Sequence, residues 1–81
     1  MQVEVRLYAI ARERAGRPSV VLDLPEGSRL ADLKSALVRS LPELTGLVPH
    51  FKFAIDQEYA EDGDMIASGS EVVVVPPVSG G

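Results

Sequence analysis

The run Val72-Val73-Val74-Val75, followed at once by Pro76-Pro77, constrains this chain more than any other stretch. Four consecutive β-branched residues favour a strand. Because they do not alternate with polar residues, they predict a strand in the middle of a sheet, covered on both faces. The two prolines end it, since neither can donate to a ladder. The residues that follow, Val78-Ser79-Gly80-Gly81, are uncharged, and their side chains shrink toward bare backbone, a shape suited to a narrow channel. From Pro76 to Gly81 the tail would span roughly 20 Å if fully extended, at about 3.3 Å per residue, which is enough to enter a partner's active site. A frayed end is the commoner meaning of Gly-Gly, and two terminal glycines arise by chance in roughly one chain in two hundred at an average usage near 7%. The setting argues for more: an apolar strand, a proline brake, and a tail whose one ionised group is the carboxylate.

A covered central strand needs a core, and 81 residues with 46% hydrophobic content supply one domain's worth. There is no cysteine, which excludes a disulfide framework, a thiolate metal site and a cysteine nucleophile, and makes an intracellular compartment the expectation. The net charge of -4 speaks against nucleic acid, whose phosphates call for a basic stripe, and favours a basic or neutral protein partner. No apolar run approaches the ~20 residues of a membrane span. Nor does a basic segment followed by a long apolar one open the chain, so a soluble, cytoplasmic protein without a membrane partner is expected.

Val3, Val5 and Leu7 alternate with Glu4, Arg6 and Tyr8, the period of a strand with one buried face. Ala9 to Ala15 predicts two helical turns stopped by Gly16. Val20, Leu22 and Leu24 share a face of a second strand, paired antiparallel with the first. Pro25-Glu26-Gly27 is a turn, and Ser28 stands at the expected N-cap of the main helix, without a capping-box partner because Ala31 is three residues on. Leu30, Leu33, Ala36, Leu37 and Leu41 fall on a single face of that helix, which ends before Pro42. Glu43 to Pro49 reads as a loop. Phe51, Phe53 and Ile55 predict a third strand closed by a turn at Asp56-Gln57, Tyr59-Ala60 a short edge strand, and Asp62-Gly63-Asp64 and Ser68-Gly69-Ser70 further turns. The order describes an α+β fold, a sheet with one main helix across its face.

Catalytic constellations are lacking. His50 has no second histidine or cysteine with which to build a metal site. Asp62 and Asp64 lack the remaining spacing of a calcium loop. The serines lie in no nucleophile elbow. The arginines Arg6, Arg12, Arg14 and Arg17 could meet an acidic patch on a partner, although a solvated helix face is the commoner explanation. No metal is expected.

Val5-Arg6-Leu7-Tyr8-Ala9 through Arg14-Ala15-Gly16, then Leu30-Ala31-Asp32-Leu33, Ile55-Asp56-Gln57-Glu58-Tyr59 and above all Val75-Pro76-Pro77-Val78-Ser79-Gly80-Gly81 carry a resemblance across nearly the whole chain. It resembles the small, sulfur-carrying subunits of molybdopterin synthase, which are ubiquitin-like β-grasp proteins. The Pro-Pro-Val-Ser-Gly-Gly ending separates that family from the thiamine sulfur carriers, which share the fold and the final Gly-Gly. Three places depart from the family pattern: Asp56 stands where Asn is usual, Ser70 where Asp is frequent, and Val74 and Val75 where an aromatic is common.

The resemblance implies a β-grasp domain over residues 1–75, with a mixed sheet, one main helix and a short helix after the first strand, and a flexible tail over 76–81. It implies that Gly81 is adenylated from ATP by a ubiquitin-activating-like adenylyltransferase. A sulfur donor would then convert it to a thiocarboxylate, which sulfurates cyclic pyranopterin monophosphate in the large subunit of a two-plus-two assembly. The chain would be a carrier with no cofactor bound, the partner supplying the catalytic groups. Gly80, Ser79, Val78, Pro77 and Pro76 would line the channel, and Val75 and Val73 would contact the partner. The alternatives are a carrier for another sulfur pathway, a ubiquitin-like modifier joined to lysines, and a binding module whose glycine tail is inert.

Overall fold

Val3 and Val5 point inward from β1 (Gln2–Arg6) while Gln2, Glu4 and Arg6 face solvent, as the two-residue period requires. The computed structural model describes residues 1–75. After β1 come α1 (Ala9–Ala15), β2 (Ser19–Asp23), α2 (Leu30–Ser40), β3 (Lys52–Ile55), β4 (Glu58–Ala60) and β5 (Glu71–Val75). The strands form one sheet in the order β2-β1-β5-β3-β4. β1 and β5 are parallel neighbours, with Val5 opposite Val72, and every other pairing is antiparallel. First and last strands side by side at the centre, with a helix across one face, make the β-grasp arrangement that the resemblance implies. The chain beyond Val75, which includes the expected tail and its site residues Pro76, Pro77, Val78, Ser79, Gly80 and Gly81, lies outside the described residues.

The helices follow their local chemistry, with one displacement. α1 stops at Gly16, whose φ of 72° is the left-handed geometry that glycine adopts without a Cβ penalty; its N–H donates to the Arg12 carbonyl. α2 buries Leu30, Leu33, Ala36 and Leu37, the leucine face read from the sequence, and gives way at Leu41 before Pro42. Its N-cap is Arg29, one residue beyond the expected Ser28. The reason is Asp32, which is three residues from Arg29 and accepts its backbone N–H at 2.9 Å. The Ser28 hydroxyl instead donates to the Pro25 carbonyl at 2.7 Å and closes the preceding turn. The free amides of the first turn are met from elsewhere in the chain: Leu30 donates to Asp64 O and Ala31 to Asp62 O.

Two expectations change. The loop over 43–49 contains two short 3₁₀ helices, Pro42–Leu44 and Val48–His50, which bury Leu44 and Val48 against the core. Leu44, Leu47 and Val48 are interrupted by Gly46 and stopped by Pro49, so the apolar spacing is too short to announce an element. The other change concerns β5. Val72 and Val74 are fully buried in the core with Val3, Val5, Leu33, Leu37 and Phe53, but Val73 and Val75 are only half-buried. The valine run lies at the centre of the sheet, yet the described residues cover it on one side alone.

Candidate functional site

The uncovered side of the sheet presents side chains of β1, β3, β4 and β5 to solvent. Alternation sends Glu71, Val73 and Val75 of β5 to this side. Register then decides their neighbours. Arg6 stands opposite Val73 on one flank; Ala54 stands opposite Val73 on the other; Tyr59 stands opposite Ala54. One step toward the end of β5, Lys52 stands opposite Val75. Val73, Val75, Ala54 and Tyr59 thus form an apolar strip along the last strand before the tail. Tyr59, at 71% exposure, is the most exposed aromatic of the described residues. Such a ring brings a large contact area at low entropic cost.

Charged side chains rim the strip. The Arg6 Nε lies 3.3 Å from Glu71 Oε2 and 3.6 Å from Glu4 Oε1, both carboxylates on neighbouring positions of the same face. The Tyr8 hydroxyl, followed by these two carboxylates, raises the Arg6 pKa above its ordinary value, so the guanidinium stays a cation. On the other flank the Lys52 ammonium lies 5.5 Å from the centre of the Tyr59 ring, within cation-π range. These contacts hold the rim in place beside an apolar centre, the anatomy of a protein interface.

Of the expected partner residues, Val73 and Val75 are on this face, and β5 carries them directly into Pro76. Val74, one of the departures from the family pattern, is in the core on the helix side, so of the two valines only Val75 bears on the face. Arg6, one of the four arginines that the sequence offers to a partner's acidic patch, is held here by the chain's own Glu4 and Glu71. Lys52, Ala54 and Tyr59 were not singled out as contact residues. The signal that could have found them is the two-residue Asp56-Gln57 loop, which sets the β3–β4 register and hence the face on which Tyr59 stands. Both loop residues have positive φ, 49° and 73°, the pattern of a type I′ hairpin.

The other two departures meet each other. The Asp56 carboxylate accepts the Glu71 backbone N–H at 3.0 Å and lies 3.1 Å from the Ser70 hydroxyl, while the Asp56 N–H donates to Glu71 O at 2.9 Å. Asp56 thereby grips the first residue of β5 through both of its main-chain groups. The Asp62-Gly63-Asp64 turn is also occupied internally. Asp62 pairs with Lys34 at 2.6 Å, Gly63 O accepts from the Arg29 guanidinium, and Asp64 accepts the Glu61 N–H at 2.8 Å. His50 is exposed in its 3₁₀ helix. Among the described residues, no group of three or more His, Asp or Glu side chains is placed to hold a metal ion, and no helix is long and apolar enough to cross a membrane.

The decisive comparison is with sequence families. Residues 5–81 match the ThiS family, a match that includes the Gly80-Gly81 end. The chain belongs to the ThiS family. It is similar to a molybdopterin synthase sulfur carrier subunit of Chlamydomonas reinhardtii, at 34% identity over the whole of both chains. Among solved structures, small archaeal modifier protein 1 of Haloferax volcanii superposes with a TM-score of 0.90 at 30% identity, again over the whole of both chains. A more distant fold neighbour at 18% identity and TM-score 0.73, covering all of both chains, comes from a complex of subunits 1 and 2 of molybdopterin-converting factor from Helicobacter pylori. These likenesses establish the ubiquitin-like β-grasp fold of this ThiS-family chain.

Proposed function

We propose that the chain is the sulfur carrier of molybdenum cofactor biosynthesis, a cytoplasmic small subunit that works with the large subunit of molybdopterin synthase. The observation that supports this most is the end-to-end likeness to a molybdopterin synthase sulfur carrier subunit, within a family match that runs through Gly81. In this reading the Gly81 carboxylate attacks the α-phosphate of ATP on an activating enzyme, forming an acyl adenylate and releasing pyrophosphate. A sulfur nucleophile from the donor displaces AMP, leaving a thiocarboxylate. That ionised sulfur attacks the pyranopterin substrate in the large subunit to form a thioester between Gly81 and the pterin. Water then cleaves the acyl–sulfur bond, leaving the sulfur on the pterin and regenerating the carboxylate.

The chain's own contribution is delivery. β5, held at the sheet centre by β1 and β3, aims the tail, and the strip around Val73, Val75 and Tyr59 seats the large subunit beside it. Gly80 and Gly81 let both enzymes close around bare backbone, and the uncharged residues from Pro76 to Ser79 avoid the cost of burying a charge. Intact mass spectrometry of the chain co-expressed with an activating enzyme and sulfur donor tests the reading. It predicts a gain equal to the difference between sulfur and oxygen, confined to the C-terminal peptide; an unchanged mass under conditions that thiolate a known carrier would oppose it.

The likeness to small archaeal modifier protein 1 supports a second reading, in which Gly81 is also joined to lysines of other proteins. Lysine-linked conjugates that vanish when Gly81 is deleted would favour it.

A further inference from the structure

The parallel pairing of β1 with β5 brings the residues after β1 to the same end of the sheet as the start of the tail. α1 follows β1 there, and the turn after it is tied back by the Leu7 N–H donating to Pro18 O at 2.8 Å. Arg12, Arg14 and Arg17 are exposed at this end, and among the described residues none of them takes part in a salt bridge. Arg12 and Arg17 line one shallow hollow with Gly16 and Pro18, in which Glu13 is the one carboxylate. Arg17 lies two residues before Ser19, which is level with Arg6 and hence with Val73. β2 is two strand spacings from β5, so this cluster stands about 10 Å to the side of the tail's root. That separation is about one Debye length at 0.1 M ionic strength, so the cluster's field reaches the tail's root most strongly at low salt.

The opposite ends of the strands and their connections carry Asp23, Glu26, Asp56, Glu58 and Glu71, while at the tail end Glu13 is within the arginine cluster, and Glu61 and the Lys34-paired Asp62 follow β4 on the far flank of the sheet. A chain of net charge -4 thus gathers, on the α1 flank of the tail's root, three arginines that make no salt bridge among the described residues. A purely local role does not account for this. Arg12 and Arg14 in the last turn of α1 complement the helix's negative end, but Arg17 lies beyond the helix and its Gly16 cap.

We infer that Arg12, Arg14 and Arg17 form a basic cap that docks on an acidic rim around the mouth of the tail channel in the large subunit. The inference rests on the carrier reading above. The apolar strip then supplies lasting contact, and the cap orients the approach so that the tail arrives at the channel first, an effect on association rate more than on residence time.

The test measures association of the intact chain with purified large subunit by stopped flow across a salt series. It compares the native chain, Arg14→Glu/Arg17→Glu, the neutral Arg14→Ala/Arg17→Ala, and Glu26→Lys at the opposite pole, with thermal melting to confirm folding. The charge-reversed chain should associate about tenfold or more slowly at low salt, with a flattened salt dependence and dissociation little changed. The neutral pair should fall between, and Glu26→Lys should match the native chain. Equal rates for native and charge-reversed chains, or an effect as large from Glu26→Lys, would overturn the cap. So would a defect confined to adenylation by the activating enzyme, which would reassign the cap to that partner. If the native chain itself fails to bind the large subunit, the carrier reading falls and the cap with it.

Discussion

Asp56 shows how much a single side chain can organise in a small sheet. Its backbone is left-handed, φ 49°, in the β3–β4 turn, and its carboxylate accepts the Glu71 N–H. Asp56→Ala should therefore lower stability by about 1–2 kcal/mol, as loss of hydrogen bonds to a charged group does. Asp56→Asn, which keeps one acceptor oxygen, should cost less. Urea denaturation of the two variants measures this, and equal losses would mean the turn conformation matters and the side chain does not. The sequence marked Asp56 as a turn residue only, because nothing in a linear reading brings Ser70 and Glu71 to it. The shift of the helix cap from Ser28 to Arg29 is a similar case. The residue type at Ser28 suited a cap, but the position of Asp32 and the arrival of the Asp62 and Asp64 carbonyls decided it.

At the scale of elements, strong periods were legible and weak ones were not. The leucines of α2 and the alternation in β1, β2 and β3 announced their elements because each buries one face. The two 3₁₀ helices did not, since three residues are too few to show a period. Leu33 and Leu37 are completely buried, and truncating either to alanine should cost about 2–5 kcal/mol in an equilibrium unfolding experiment. A cost near that of a surface substitution at both sites would remove α2 from the core. The open strip on β3, β4 and β5 makes a separate forecast. Tyr59→Ala should weaken binding to the large subunit by more than about 1 kcal/mol without lowering the melting temperature, since the ring is mostly exposed in the free chain. Charge reversal at Glu58, which faces away from Tyr59 along β4, should leave the equilibrium affinity near native in titration calorimetry. The reverse pattern would move the interface off this face.

For the molecule as a whole, the valine run announced a central strand and the sheet order bears that out, with β5 between β1 and β3. The expected cover on both sides was the part that a sequence of one chain could not deliver. A partner can cover a face as well as a helix can, and hydrophobicity alone does not say which. The carrier account joins that open face, the strand it contains and the tail beyond Val75 into one device whose reacting atom is on the main chain of Gly81. Such a device is sensitive to length. Adding a single alanine after Gly81 shifts the reactive carbonyl by about 3.3 Å, far outside the tolerance of a positioned reaction. The most direct measurement is therefore sulfur transfer in a system reconstituted from the chain, an activating enzyme, a sulfur donor and the large subunit, comparing the native chain with one extended by that alanine. The account predicts that the extended chain binds the large subunit and transfers no sulfur; turnover by the extended chain at the native rate would contradict it.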